Sequence, residues 1–68
     1  MKVLYRYRKD AEAAAAASGK TTYESTCDAW DDIDEIKDAD LQRNGVSGET
    51  NCLRTDDGDV FAWWEEDE

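Results

Sequence analysis

The sequence predicts one small α+β domain, in which two helices pack on a mainly antiparallel three-stranded sheet in the order β-α-α-β-β. Three observations lead to this prediction. The chain begins with a run in which valine and tyrosine alternate with leucine and arginine, as on the two faces of a strand. Two segments with helical patterns follow, and the chain ends with two β-prone runs around an Asp/Gly turn. With 68 residues, it is long enough for a single domain with a thin core.

The first strand is expected at residues 2–8. Val3, Tyr5 and Tyr7 would fall on one face of an extended chain. Leu4 would fall on the other face, beside two arginines. Because valine and tyrosine both favour strands, this alternation indicates a strand that is at least partly buried.

A short alanine-rich helix is expected next, from Asp10 to Ser18. Asp10 is suited to the N-cap, and Glu12 would lie in the first turn, where a negative charge is favourable. Gly19 is suited to the position that follows the last helical residue. The small alanine side chains would let this helix lie close against the sheet.

Residues 20–24 leave two alternatives open. Thr21, Thr22 and Tyr23 favour a further strand, but the same segment can lead into the next helix. In the second case Thr22 or Ser25 would cap that helix.

The last third of the chain predicts a β-hairpin. Asn51–Thr55 and Val60–Glu65 flank an Asp-Asp-Gly-Asp turn at 56–59. The second strand is apolar on both faces, with Val-Ala-Trp on one and Phe-Trp on the other. One face would pack under the helices, and the other needs cover from a loop, a second copy of the chain or a partner.

The segment from Thr26 to Ala39 shows the strongest helical pattern. A helical projection separates an apolar side from an acidic side. The apolar members are Cys27, Ala29, Trp30, Ile33, Ile36 and Leu41. The acidic members are Asp28, Asp31, Asp32, Asp34, Glu35 and Asp38.

The charge of the chain directs attention to this acidic side. Eighteen acidic residues against eight basic ones give a net charge of -10. Such a chain repels nucleic acid and attracts proteins that bind it. On a helix, six acids would be spaced roughly 2.5 Å apart along the axis, against ~1.7 Å per charge in duplex DNA. We therefore predict a partner-binding surface made of these six acids, with Trp63 and Trp64 as aromatic anchors.

Catalysis and cofactor binding are not expected. The sequence contains no histidine, and acidic surroundings would keep a cysteine thiol protonated. The spacing Asp38-x-Asp40-x-Gln42-x-Asn44 resembles a calcium loop, but Arg43 stands where that loop needs glycine. We therefore predict neither an enzyme nor a metal site.

The two cysteines leave a choice open. Cys27 and Cys52 are expected to be reduced and half-buried, and a disulfide between them is the alternative. The early apolar run is broken by Arg6 and Arg8, which argues against a secretion signal and favours a cytoplasmic location. Residues 66–68 are expected to form a flexible acidic tail.

Two segments carry a resemblance to known proteins. Residues 28–35 read Asp-Ala-Trp-Asp-Asp-Ile-Asp-Glu, and residues 63–68 read Trp-Trp-Glu-Glu-Asp-Glu. In these segments the chain resembles small acidic proteins that phages and mobile elements use against host defences, including anti-CRISPR proteins and DNA-mimic inhibitors. The resemblance implies a single-domain inhibitor, acting in the host cytoplasm, that blocks the nucleic-acid site of a nuclease or nucleoprotein complex.

Two other interpretations stay open at this stage. The protein is an assembly module that dimerises through the aromatic hairpin, or it is an ordinary domain whose acidic surface reflects a high-salt habitat. An Asp-rich and Ala-rich composition with only four lysines fits the habitat interpretation. Whether the chain is a monomer or a homodimer is equally open.

Overall fold

Five strands and two short helices make up residues 1–66, the part of the chain described in this computed structural model. In chain order they are β1 (Lys2–Tyr7), α1 (Arg8–Ala17), β2 (Thr22–Asp28), β3 (Glu35–Ile36), α2 (Ala39–Asn44), β4 (Glu49–Thr55) and β5 (Val60–Glu65). The predicted first strand, alanine-rich helix and C-terminal hairpin are present within two residues of their expected bounds, but α1 begins at Arg8 with Tyr7 as its N-cap, so the predicted cap at Asp10 is wrong.

The strands form one mixed sheet in the order β2-β4-β5-β1-β3. β4 pairs antiparallel with β2 and with β5, whereas β1 runs parallel to β5 and to β3. The predicted mainly antiparallel, three-stranded sheet is therefore wrong. Val3 and Leu4 of β1 are both fully buried, because β1 lies inside the sheet and both of its faces are covered.

The predicted helix from Thr26 to Ala39 is also wrong. Its beginning belongs to strand β2, and its remainder forms a turn, the short strand β3 and the approach to α2. A helix would have set like charges three or four residues apart along one side, which destabilises helices. Aspartate, serine and threonine also compete for backbone hydrogen bonds and favour caps and turns over helix interiors.

Each face of the sheet has its own small core. On one face, Phe61 and Trp63 of β5 pack against Ala11 and Ala15 of α1. On the other face the core contains Leu4, Cys27, Cys52, Val60 and Ala62, with Ala29, Leu41 and Val46 from the connecting segments and α2. The chain itself therefore supplies the cover that the second face of β5 needs.

The alanines of α1 allow a close approach between the helix and the sheet. Ala11 is fully buried against the core around Phe61, whereas Ala13 is exposed on the same helix. We expect Ala11→Leu to lower the free energy of unfolding by about 1–3 kcal/mol through overpacking. Ala13→Leu is the matched control and should change it by less than about 0.5 kcal/mol. Urea denaturation measures both, and equal midpoints for the two variants would contradict the close packing.

The hairpin turn is held by side chains from the turn and from the segment before β2. The backbone N–H of Asp59 donates to the Thr55 hydroxyl at 3.0 Å, and that hydroxyl donates to the Asp57 carboxylate. Gly58 has a φ of 97°, a left-handed conformation that favours glycine. Lys20 adds ion pairs to Asp57 at 2.7 Å and to Asp59 at 2.9 Å.

Neither helix within residues 1–66 is long and apolar enough to cross a membrane.

Candidate partner-binding surface

Most carboxylates of the described chain are matched by nearby cations. Arg8 reaches Glu12 at 3.3 Å, Glu24 at 2.7 Å and Glu66 at 3.1 Å. Its guanidinium also lies over the Trp63 ring, 5.1 Å from the centroid. Glu66 begins the predicted flexible tail and is held in this network, while residues 67 and 68 of that tail lie outside the described residues.

Two further cations neutralise other parts of the surface. Arg6 contacts Glu65 at 2.8 Å and lies 3.7 Å from both Asp38 and Asp40. The Lys20 ammonium, helped by the Thr55 hydroxyl, lowers the pKa of the Asp57 carboxyl to about 2. These carboxylates offer little unbalanced charge to a partner.

Six carboxylates have no cationic group within 4.0 Å among residues 1–66. They are Asp10, Asp28, Asp31, Asp34, Glu49 and Asp56. Asp10 lies on α1 and Asp56 on the hairpin turn, apart from the rest. Three of the other four, Asp28, Asp31 and Asp34, lie on the segment in which the chain leaves β2, and Glu49 is the cross-strand partner of Asp28 in β4.

The segment from Asp28 to Asp34, called the acidic loop below, is a tight turn fixed by its own carboxylates. The Asp28 carboxylate accepts hydrogen bonds from the backbone N–H groups of Trp30 and Asp31, both at 2.8 Å. In return, the Asp32 carboxylate accepts from the N–H of Asp28 at 2.7 Å. The arrangement resembles a capping box at Asp28, whereas the cap residues suggested by the sequence are Thr22 and Ser25.

The caps have an electrostatic consequence for Asp28. Hydrogen bonds from the N–H groups of Asp31 and Trp30 hold the pKa of the Asp28 carboxyl below its usual range. A depressed carboxyl pKa contributes stability that is present above about pH 4 and is lost as the pH falls through the folded-state pKa.

The role of Asp28 can be tested by comparing two substitutions. We expect Asp28→Ala to lower the urea midpoint at neutral pH, because two backbone N–H groups lose their acceptor. Asp28→Asn keeps an acceptor at the cap and should lose less than half as much. Asn cannot ionise there, so this variant should also lose less stability than the wild type between pH 5 and pH 2. Identical effects of the two substitutions at neutral pH would contradict a capping role.

Trp30 is the exposed aromatic residue of the acidic loop. Its side chain is 68% exposed, whereas the sequence pattern places it on the buried side of a helix. Ala29 and Ile33 beside it pack into the core, which fixes the loop against the sheet. Trp30 was missed as a surface residue because the predicted helix assigned it to the core. The available signal was its position in the turn-prone string Asp-Ala-Trp-Asp-Asp.

The six predicted acidic contacts do not form one row. Asp28 and Asp32 cap the turn, and Asp38 caps α2 by accepting from the N–H groups of two residues in its first turn. Asp31 and Asp34 are exposed, without a cation within reach among residues 1–66. The last member, Glu35, is exposed in β3 and paired with a lysine two residues later, at 2.9 Å.

The two predicted tryptophan anchors have different environments. Trp63 is only 3% exposed beneath α1, so its ring is not available to a partner in this structure. Trp64 points to the opposite face of β5 and is 38% exposed. From the predicted set, Asp28, Asp31 and Asp34 thus lie on one exposed segment with Trp30, and Glu49 is the cross-strand partner of Asp28.

The two cysteines are free, buried and adjacent. Cys27 and Cys52 lie on the paired strands β2 and β4, and Cys52 is aligned with Ser25, two residues before Cys27. Burial, together with the neighbouring Cys52, raises the pKa of the Cys27 thiol to about 12. Such a thiol is a poor nucleophile at neutral pH.

Metal-binding side chains do not cluster in the described residues. No group of three or more histidine, cysteine or acidic side chains within residues 1–66 is placed to hold a metal ion. The calcium-like spacing at 38–44 folds into helix α2 instead of a binding loop, with Asp38 as its N-cap.

Comparisons with known proteins add no family to this description. No protein-family model, curated protein or solved structure matches the chain. Its class is therefore given by its fold, a small α+β domain with a five-stranded mixed sheet. Its distinguishing surface is the acidic loop with the exposed Trp30.

Proposed function

We propose that the protein is a non-enzymatic inhibitor that binds a basic nucleic-acid-binding protein or nucleoprotein complex and blocks its nucleic-acid site. A nuclease or a CRISPR effector is the kind of target that the sequence resemblance suggests. One observation carries the proposal. The exposed Trp30 lies on a turn that is fixed by its own hydrogen bonds, and four carboxylates without a cation partner among residues 1–66 lie on this segment or pair with it across β2 and β4.

The distribution of charge supports binding over general solubility. Ten of the sixteen acidic residues within 1–66 lie within 4.0 Å of a cationic group. Of the six acids that remain, four lie on the segment 28–34 or pair with it through Glu49. An acidic surface adapted only to salty solvent has no need for this concentration.

The pairing of Asp28 with Glu49 supports the same conclusion. These two acidic residues are cross-strand partners on β2 and β4. Like charges at paired positions repel each other and destabilise a sheet, and neutral side chains such as threonine or asparagine would avoid this repulsion. A basic partner would relieve it and would gain fast, salt-sensitive association from the unscreened field.

The proposal is tested by capture and competition. The tagged protein is incubated with nuclease-treated lysate at low salt, and a captured protein is then purified for binding measurements. We expect this partner to bind nucleic acid by itself, to be displaced from the inhibitor by duplex DNA or RNA, and to lose affinity steeply as salt rises. A partner that holds its nucleic acid and this protein at the same time, without mutual competition, would rule out blocking of the site.

A further inference from the structure

A shallow apolar groove runs beside the exposed tryptophan. It is lined by Ala29, Trp30, Ile33, Asp34 and Ile36 and has a volume of about 220 Å³. Ala29 is buried while the two isoleucines are half-buried, so the floor of the groove belongs to the core and its rim is open. Pockets for small ligands usually exceed ~300 Å³, so this groove is better matched to a single side chain than to a cofactor.

We propose that this groove receives one apolar side chain of the basic partner, flanked in the partner by lysine or arginine residues. This inference rests on the proposed function and specifies which part of the partner the groove would bind. Charge complementarity is the argument for such an occupant. Asp34 lines the groove, Asp31 follows Trp30, and both carboxylates are exposed without a cation partner among residues 1–66.

The other candidate occupants carry the wrong charge. A second copy of the chain would bring the same acidic rim and a net charge of -10 against itself. Asp67 and Glu68, which follow the described residues, are acidic as well. An anionic lipid surface would be repelled in the same way. A basic protein segment is the occupant that the rim attracts.

The two parts of the groove should contribute in different ways. The carboxylates set the rate of encounter and its dependence on salt. The apolar floor selects the side chain between the cations, since burying one leucine is worth roughly tenfold or more in affinity. A purely electrostatic surface would show no such selection.

The test uses two synthetic peptides of equal charge, Gly-Lys-Lys-Gly-Leu-Gly-Lys-Lys-Gly and its variant with glycine in place of the leucine. Binding to the folded protein is followed at low salt by amide chemical shifts in NMR. We expect the leucine peptide to bind roughly tenfold more tightly and to shift the amides around Trp30 and Ile33. Trp30→Ala should remove this preference, and Tyr23→Ala, which changes an exposed aromatic residue outside the groove, should keep it.

Neutralising the rim separates this inference from the proposed function. Asp31→Asn together with Asp34→Asn should weaken both peptides and leave the leucine preference unchanged. Equal affinity of the two peptides for the wild type overturns the groove while leaving an acidic binding surface in place. Retention of the preference in Trp30→Ala, or shifts that lie elsewhere, also overturns the groove. If neither peptide binds, or if binding ignores the Asn substitutions, the acidic surface fails as well.

Discussion

Phe61→Ala is expected to unfold a large fraction of the protein at room temperature. Phe61 is 1% exposed and lies in β5, aligned with Val3 of β1 and Leu53 of β4 and packed against the alanines of α1. Truncating a buried phenylalanine lowers the free energy of unfolding by about 3–5 kcal/mol. A domain of this length has a total stability of only about 3–10 kcal/mol. The expected loss is therefore comparable to the total free energy of unfolding.

Thermal and urea denaturation measure this effect, with Trp30→Ala as the control. The control removes a larger ring from a side chain that is 68% exposed, so it should change the free energy of unfolding by about 1 kcal/mol or less. Phe61→Leu should recover part of the loss, because a leucine fills part of the space. Similar stability for Phe61→Ala and Trp30→Ala would contradict the placement of the core beneath α1.

The elements that the sequence located correctly are those decided by near neighbours. The alternation around Tyr5 in β1 is a local property, and so is the alanine run that forms α1. The hairpin follows from the Asp-Gly turn at 56–59 and the β-prone runs beside it. The longest of these signals, the hairpin, occupies only residues 51–65.

The strand partners of β1 and β3 could not be predicted from local sequence. The central position of β1 depends on its parallel pairing with β5, which aligns Leu4 with Ala62 across 58 residues of sequence. No turn sequence predicts this parallel pairing. The short strand β3 cannot be predicted either, because two residues are too few to show the alternation of a strand.

The acidic segment shows how a correct pattern can support a wrong element. Its residues do separate into apolar and acidic sets at helical spacing, but the energies of like-charge repulsion and aspartate capping oppose a helix. Asp28, Asp31 and Asp34 were predicted as contacts on the acidic side of a helix that does not form, and they are exposed or partly exposed in the acidic loop. Glu49 joins them only through the β2–β4 register, which a single sequence does not reveal.

Charge reversal at two positions of the acidic loop should nearly abolish partner binding. Asp31 and Asp34 are exposed, and the side chains of both lack hydrogen-bond and ion-pair partners among residues 1–66, so Asp31→Lys/Asp34→Lys should leave the fold intact. Each substitution replaces attraction toward a basic surface by repulsion. We expect affinity to fall roughly a hundredfold at low salt, with most of the change in the association rate.

The matched control for this variant reverses two other unpaired acids, Asp10 and Asp56, which lie away from the loop. Asp10→Lys/Asp56→Lys makes the same change in net charge, so a loss caused by overall charge would appear equally in both variants. Competition with duplex DNA for the immobilised partner, repeated at several salt concentrations, measures the affinities of both variants. A loop variant that folds and binds as tightly as this control would show that the acidic loop is not the surface that the partner reads. A selective loss would place recognition at the turn that Asp28 and Asp32 hold in position, because net charge is then the same and only its location differs.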